Sequence, residues 1–310
     1  MKKIVVTTCS AIHLAQAKSL GDSLLSFNPD YKLMIGLVDK LDNRVEPDFY
    51  YPHDLVEAEE LHIPEFAEMY QRYTTLELNC ALKCFFLHYA VEVYQPDILF
   101  FLDSDILVFD SFKFLEEQLI SHSILVTPHI TKPYPNDKHR PQEKEILKTG
   151  VFNGGFLGLR NDENSQGLLD WWKPRMVDQC YERPKEGLNV DQKWLELVPL
   201  YFRNVKVILH EGCNVAYWNL HQREITKKGN NYFANDDPLI FFHYSGYSIK
   251  HPDQISKHQD RITFEGNIAL KELFESFHRT LVANDHEKML SLECYYQKKS
   301  KNVLRRLFEK

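Results

Sequence analysis

The sequence has no excess of positive charge, no paired-cysteine motif and no long apolar run, and each absence removes a class of function. Lys and Arg number 37 against 44 Asp and Glu, for a formal net charge of −7. Nucleic acid as the main partner is excluded, because backbone phosphates require a clustered cationic face. Phosphate on a small molecule is not, since a bound divalent cation neutralises it locally. The six cysteines, Cys9, Cys80, Cys84, Cys180, Cys213 and Cys294, form no CxxC pair and no zinc spacing. Reduced, mostly buried thiols in a cytoplasmic protein are the expectation. No stretch is long enough to cross a bilayer, and Ile4-Val5-Val6 behind Lys2 and Lys3 is too short for the apolar region of a signal peptide. A cytoplasmic protein, soluble or peripheral on the inner face of a membrane, is expected. Internal repeats and low-complexity tracts are also missing.

What is present is an alternation of strand and helix patterns. At 310 residues and 44% hydrophobic content, the chain can bury one large α/β core, with or without an elaborated C-terminal part. Ile4 to Val6 form a β-branched run suited to a buried parallel strand. Leu14, Ala17, Leu20, Leu24 and Leu25 then recur at helical spacing, closed by Asn28-Pro29-Asp30, and Lys32 to Val38 read as a second strand. A long helix is predicted over Thr74 to Tyr94, ended by Pro96, followed by the strand Ile98 to Leu102 with Asp103 at its carboxyl end. Phe156 to Leu159 read as a further strand and Gln166 to Tyr181 as a helix, whereas Pro128 to Gly150 lacks a period and is expected to be a long surface loop of the lid type. This alternation predicts βαβ units and a mostly parallel sheet, with ligands beyond the carboxyl ends of its strands. Thr7, Thr8 and Cys9, placed after the first strand, would then share one crevice with Asp103 to Asp105. The final stretch, 295–310, carries Lys298, Lys299, Lys301, Arg305, Arg306 and Lys310, with Val303, Leu304, Leu307 and Phe308 at helical spacing. It reads either as a basic amphipathic helix for a membrane surface or as a solvated terminus.

Four short elements carry chemistry. Asp103-Ser104-Asp105 lies between Phe100-Phe101-Leu102 and Ile106-Leu107-Val108-Phe109. Polar groups inside so apolar a stretch must be compensated, and two neighbouring carboxylates are held together by a hard divalent cation whose open positions suit a diphosphate. Asn153-Gly154-Gly155 allows either close backbone approach to a ligand, with an amide for sugar hydroxyls, or a plain turn. Asn189-Val190-Asp191-Gln192 is either a functional pair or a helix cap. His243, following Phe241-Phe242, is either a hydrogen-bonded core residue or a third, nitrogen ligand beside Asp103 and Asp105.

Taken together and in order, these elements resemble GT-A glycosyltransferases, especially family 8, the glycogenin and galactosyltransferase-like group. Phe101 to Val108 resembles that group's Asp-x-Asp strand-turn, Phe152 to Leu157 its Asn-(Ala/Ser)-Gly segment, Asp191-Gln192 its Asp-Gln pair, and His243-Tyr244-Ser245-Gly246 the start of its terminal His motif. The resemblance spans residues 1–255. It implies an α/β GT-A (Rossmann-like) fold with a mostly parallel sheet flanked by helices. Residues 1–255 would be the nucleotide-sugar-binding catalytic domain and 256–310 a helical C-terminal extension. It further implies Mn²⁺ (or Mg²⁺) on Asp103, Asp105 and His243, and a UDP-hexose donor. Asn153, Asp191 and Gln192 would act near the reacting carbon. Thr7, Thr8, Cys9, Lys83, Asp103, Ser104, Gly154, Gly155, Gly246 and Lys250 would bind the donor. The reaction implied is hexose transfer to a saccharide or glycoconjugate acceptor, with retention of configuration. The chain departs from the family at its last motif. Lys250 falls four residues after Gly246 instead of three, and His251-Pro252 replaces Pro-Trp.

Other readings of an Asp-x-Asp strand fit less well. HAD-type phosphatases place it near the start of the domain and usually follow it with Gly-Thr. Sugar nucleotidyltransferases carry a glycine-rich loop with Lys or Arg after the first strand, where this chain has Thr7-Thr8-Cys9-Ser10. A non-catalytic subunit that keeps a nucleotide-sugar site is separated from an enzyme only by activity.

Overall fold

The computed structural model describes residues 1–296, so the basic residues from Lys298 onward lie outside the described residues. The chain begins with β1 (Lys3–Cys9), α1 (Leu14–Phe27), β2 (Tyr31–Leu37), β3 (Asp54–Glu57), α2 (Phe66–Arg72) and α3 (Thr75–Tyr94). It continues through β4 (Ile98–Leu102), β5 (Ile106–Val108), α4 (Lys113–Ser121), β6 (Ile124–Pro128), α5 (Glu143–Thr149), β7 (Phe152–Arg160) and α6 (Glu163–Asp178). The small hairpin β8 (Glu182–Arg183) and β9 (Leu188–Asn189), α7 (Val198–Tyr201) and β10 (Val205–Val207) lead to β11 (Ile225–Lys228), β12 (Asn231–Ala234), β13 (Asp237–Pro238) and β14 (Phe241–His243). Helices α8 (Ile268–Ala283) and α9 (His286–Leu290) follow.

Among the described residues the central sheet runs β10-β6-β7-β4-β1-β2-β3. β1 pairs in parallel with β2 and β4, β2 with β3, and β10 with β6, while β7 alone runs antiparallel between β4 and β6. Continuous apolar strands mean that both faces are covered. All five residues of β4 are buried. Leu99 and Phe101 pack on one face with Phe86 of α3 and Trp172 of α6, and Phe100 and Leu102 on the other with Phe112 and Phe241. Each such side chain stabilises the fold by roughly 1.5–3 kcal/mol.

Helix α3 starts at a capping box: Thr74 Oγ1 accepts from Glu77 N at 3.2 Å, and Thr74 N donates to Glu77 Oε2 at 2.8 Å. It ends where Gln95 turns left-handed (φ 47°) ahead of Pro96. The pair β5–β14 forms a separate antiparallel ladder with His243 opposite Ile106. Leu270, Leu273, Phe274 and Phe277 of α8 pack beneath it against Leu107, Phe242 and Tyr244, so the C-terminal helix supports this ladder directly.

Several expectations need correction. β1 runs on through Thr7, Thr8 and Cys9, which are buried sheet residues and not a loop after the strand. Asn153-Gly154-Gly155 is neither turn nor loop edge but lies within β7. Its neighbours, not its composition, decide this: Asp103 N reaches Gly155 O past the end of β4, and the pairing with β6 shifts register across the segment. The 128–150 stretch contains α5, whose start is fixed by a capping box between Gln142 and Glu145. Asp191 does not cap a helix through its side chain, although a 3₁₀ segment begins at Gln192. No described helix is long and apolar enough to cross a membrane, and all six cysteines are free thiols.

Gly36 in β2 lies against α3, where an added Cβ would come within 2.6 Å of the Phe86 ring. Gly36→Ala is expected to cost about 1–3 kcal/mol by overpacking. A lower urea midpoint at unchanged m-value would show it.

Candidate active site

The end of β4 sets the position of the acidic pair. Asp103 N donates to Gly155 O at 3.0 Å as the last rung with β7, and Ile106 N donates to Asp103 O at 3.2 Å, closing a tight turn into β5. Because β14 pairs with β5, and Tyr244 N donates to Asp105 O at 2.8 Å, the imidazole of His243 is carried over that turn. Its Nε2 stands 3.0 Å from Asp105 Oδ1 and 3.8 Å from Asp103 Oδ2. One ligand atom from each of Asp103, Asp105 and His243 falls within 4.8 Å of the others.

The other face of the imidazole identifies its tautomer. His243 Nδ1 lies 3.3 Å from Asn214 Oδ1, and Asn214 Nδ2 donates to Thr127 Oγ1 at 2.8 Å and Asn153 Oδ1 at 3.0 Å. With its amide donors committed, Asn214 offers an acceptor, so Nδ1 carries hydrogen; Nε2 is then free to give its lone pair to a cation or, in the metal-free protein, to donate a proton to Asp105. Trp218 stands edge-on to the same ring at 5.1 Å. Two carboxylates and an imidazole lone pair around one point are the donor set of a divalent cation with mixed O,N preference, and the residues fit such an ion.

Beside this cluster lies a buried cation. Lys83 of α3 places Nζ 3.1 Å from Asp103 Oδ1, 3.1 Å from Asp191 Oδ2 and 3.1 Å from Gly154 O. Burial penalises its charge, but the two carboxylates outweigh that and hold its pKa above the ordinary lysine value. Burial pushes Asp191 upward and Lys83 opposes it, with the net shift upward. Asp191 Oδ2 is buried and, apart from this ion pair, has no hydrogen-bond partner.

Gln192 fixes the strand backbone between them. Its Oε1 accepts from Gly154 N at 2.9 Å and Asn153 Nδ2 at 3.2 Å, while its Nε2 donates to Thr149 O at 2.9 Å. Glycine is required at position 155: an added Cβ would sit 2.5 Å from His243 Cε1 and 2.8 Å from Asp103 Oδ2.

Thus Asn153, Gly154, Gly155, Asp191, Gln192, His243, Lys83, Asp103 and Asp105 converge, from elements far apart in sequence. Ser104 occupies the turn between the two aspartates. Thr7, Thr8 and Cys9 are buried in β1. Gly246 is left-handed (φ 74°) three residues past His243. Lys250 is exposed, and no described hydrogen bond or ion pair joins its side chain to the cluster. Sequence reasoning missed Asn214, Thr127, His129 and Trp218. Asn214 sits at φ 51° in a segment without regular period, so only an asparagine's tolerance of that conformation marked it.

No family model matches the chain. It is similar to two proteins of Bacillus subtilis (strain 168), both bearing the name uncharacterized protein. YfnF is 27% identical over 83% of this chain and 86% of its own length. YfnD is 25% identical over 78% of this chain and 77% of its own. Among solved structures, galactosyltransferase LgtC in complex with donor and acceptor sugar analogues aligns with a TM-score of 0.50 at 15% identity, covering 89% of this chain and 95% of that one. An active-site mutant of LgtC aligns at 0.51 and 16% identity, with the same coverage. The chain has the α/β GT-A fold, and these two structural neighbours are glycosyltransferases.

The imidazole–carboxylate contact makes a titration testable. Burial lowers the His243 pKa, but Asp105, aided by Asp103, outweighs it and raises the value above the ordinary one. Asp105 shifts the opposite way: burial raises it, and His243 pulls it below the usual carboxylate range. The stabilisation carried by His243 is therefore complete below about pH 6.5, its unfolded value, and disappears as pH rises through the higher folded value. In metal-free protein, NMR titration should find the His243 imidazole protonated above the ordinary pH, and Asp105→Asn should bring its midpoint down.

Proposed function

We propose that this chain is a metal-dependent glycosyltransferase that moves a hexose from a nucleotide-sugar, most simply a UDP-hexose, to a hydroxyl of a saccharide or glycoconjugate acceptor. The observation that carries the reading is the convergence of Asp103, Asp105 and His243 within 4.8 Å at the carboxyl end of a central strand, with the Lys83–Asp191 pair adjoining. In this reading residues 1–255 form the donor-binding domain and 256–310 a helical extension. Asp103, Asp105 and His243 hold the cation, and an imidazole among oxygen ligands favours Mn²⁺ over Mg²⁺. When bound, the cation supplies Lewis-acid neutralisation of charge on the departing diphosphate.

The chain's own groups do the rest. Lys83 adds a fixed positive charge toward donor phosphates and sugar, already paid for in desolvation by its two carboxylates. Asp191, with one oxygen short of a hydrogen bond, takes a donor hydroxyl and stabilises positive charge at the anomeric carbon. Asn153 and Gln192 hold the backbone of Gly154 and Gly155 open, so that the donor lies close to β7. The uridine rests at the carboxyl edge of β1, beyond Thr7, Thr8 and Cys9, and Ser104 lies under the phosphates. Gly246 turns the following loop, whose Lys250 is assigned to the diphosphate through the family resemblance alone. The 128–150 segment closes over the donor and excludes water.

Retention follows from the likeness to family 8. The acceptor oxygen bonds to the anomeric carbon on the face from which the diphosphate oxygen leaves, and the acceptor's hydroxyl proton passes to that oxygen. Product NMR should show the donor's anomeric configuration, and an inverted linkage would refute retention. Hydrolysis of UDP-hexose with Mn²⁺ should fall at least about 100-fold in the Asp103→Ala/Asp105→Ala double variant, with an unchanged circular dichroism spectrum. A double variant as active as the parent would overturn the reading.

A further inference from the structure

A polar cavity of about 750 Å³ lies between the start of the 128–150 segment, the stretch 220–224, Asn235 and the stretch 261–267. Its wall contains a buried arginine without a counter-ion. Arg223 is 4% exposed. Its Nη1 donates to Cys213 O at 2.8 Å, while its Nε is buried with no partner and its Nη2 makes no hydrogen bond among the described residues. The two nearest carboxylates are engaged elsewhere. Glu211 accepts from the Asn235 amide and pairs with Lys132 Nζ at 3.6 Å, and Asp237 Oδ2 accepts from Glu211 N at 3.0 Å. Neither approaches Arg223 within ion-pair distance.

A guanidinium taken out of water with most of its donors idle is a poor structural device, because apolar packing would serve better. It is a good anion receptor, since its planar fork is held still and already desolvated. The rest of the wall suits that role. Lys132 and His221 line the same cavity, together with Gln222 and Asn235, whose amide donors are already held by Thr131 and by Glu211 and Gln222 O and so shape the wall. Gln222 fixes the backbone beside Lys132, accepting from Thr131 N at 3.1 Å and Lys132 N at 2.6 Å. Two exposed carboxylates, Glu224 and Glu265, also border it and add acceptors for hydroxyls.

Contacts through Tyr134 and Trp218 connect the cavity to the metal-ligand set. Tyr134 hydroxyl donates to Trp218 O at 2.6 Å, its ring lies 4.2 Å from that of His221, and the Trp218 ring stands edge-on to His243. We propose that this cavity binds an oxyanion, the carboxylate or phosphate of an acidic acceptor glycan, with Arg223 as its central contact. The identification of the anion's carrier as acceptor rests on the transferase reading above, whereas anion binding does not.

The test is calorimetric titration of the whole chain, with metal removed by EDTA, against sodium glucuronate, inorganic phosphate and neutral methyl glucoside. Saturable binding of an anion, and none of the neutral sugar, is expected. Arg223→Leu should weaken it at least tenfold, and Lys132→Glu, on an exposed side chain that leaves folding undisturbed, several-fold. The tighter of glucuronate and phosphate identifies the anion. Absence of saturable anion binding in the parent, or undiminished binding in Lys132→Glu together with any folded Arg223→Leu, would overturn the proposal. Hydrolysis of UDP-hexose by the parental protein with Mn²⁺ restored tests the donor reading independently.

Discussion

One buried ammonium group ties the site together. Lys83 reaches from the middle of α3 to the end of β4, the backbone of β7 and the segment after β9, touching Asp103, Gly154 and Asp191 within 3.1 Å of each. An unpaired lysine in this position would lose its charge, and either aspartate without it would face an uncompensated neighbour. The triad is therefore a mutual requirement: each charge is tolerated because the other two are present. Supports around it follow from that need. Glu77, a turn and a half earlier on α3, accepts Glu182 N at 2.9 Å and so pins the hairpin that leads to Asp191.

The antiparallel β7 is the second constraint. In a sheet otherwise built of parallel pairs, it is the strand whose beginning, not its end, meets the carboxyl end of β4. Asn153, Gly154 and Gly155 are thereby delivered to the same edge as Asp103. The cost is crowding, and glycine at 155 answers it by leaving room for His243 and Asp103.

Much of this was legible in the sequence, for identifiable reasons. Ile98 to Leu102 could only be a buried strand, and an acidic pair so placed had to have a partner. The helix over Thr74 to Tyr94 carried its own cap and stop, and the structure begins it one residue later, at Thr75. What was not legible depended on pairing across the chain. Composition made Asn153-Gly154-Gly155 look like a turn, although the segment lies within β7, tied to the end of β4 by Asp103 N and Gly155 O. Asn189 or Asp191 looked like a helix cap, yet the carboxylate of Asp191 is turned toward Lys83. Asn214 had no periodic neighbourhood to announce it, because its role is to orient a ring supplied 29 residues later. Local patterns reveal what a segment is, and they are silent about which distant side chain it will meet.

The ladder between β5 and β14 has a temporal meaning as well. Asp105 and His243 are brought together by strands separated by most of the domain. During synthesis the two carboxylates emerge long before the imidazole, and the helix α8 that supports the ladder emerges later still. A nascent chain therefore holds two of the three ligands and no scaffold to complete the set. Asp103 and Asp105 gain their nitrogen neighbour only once β14 has been made and has paired with β5.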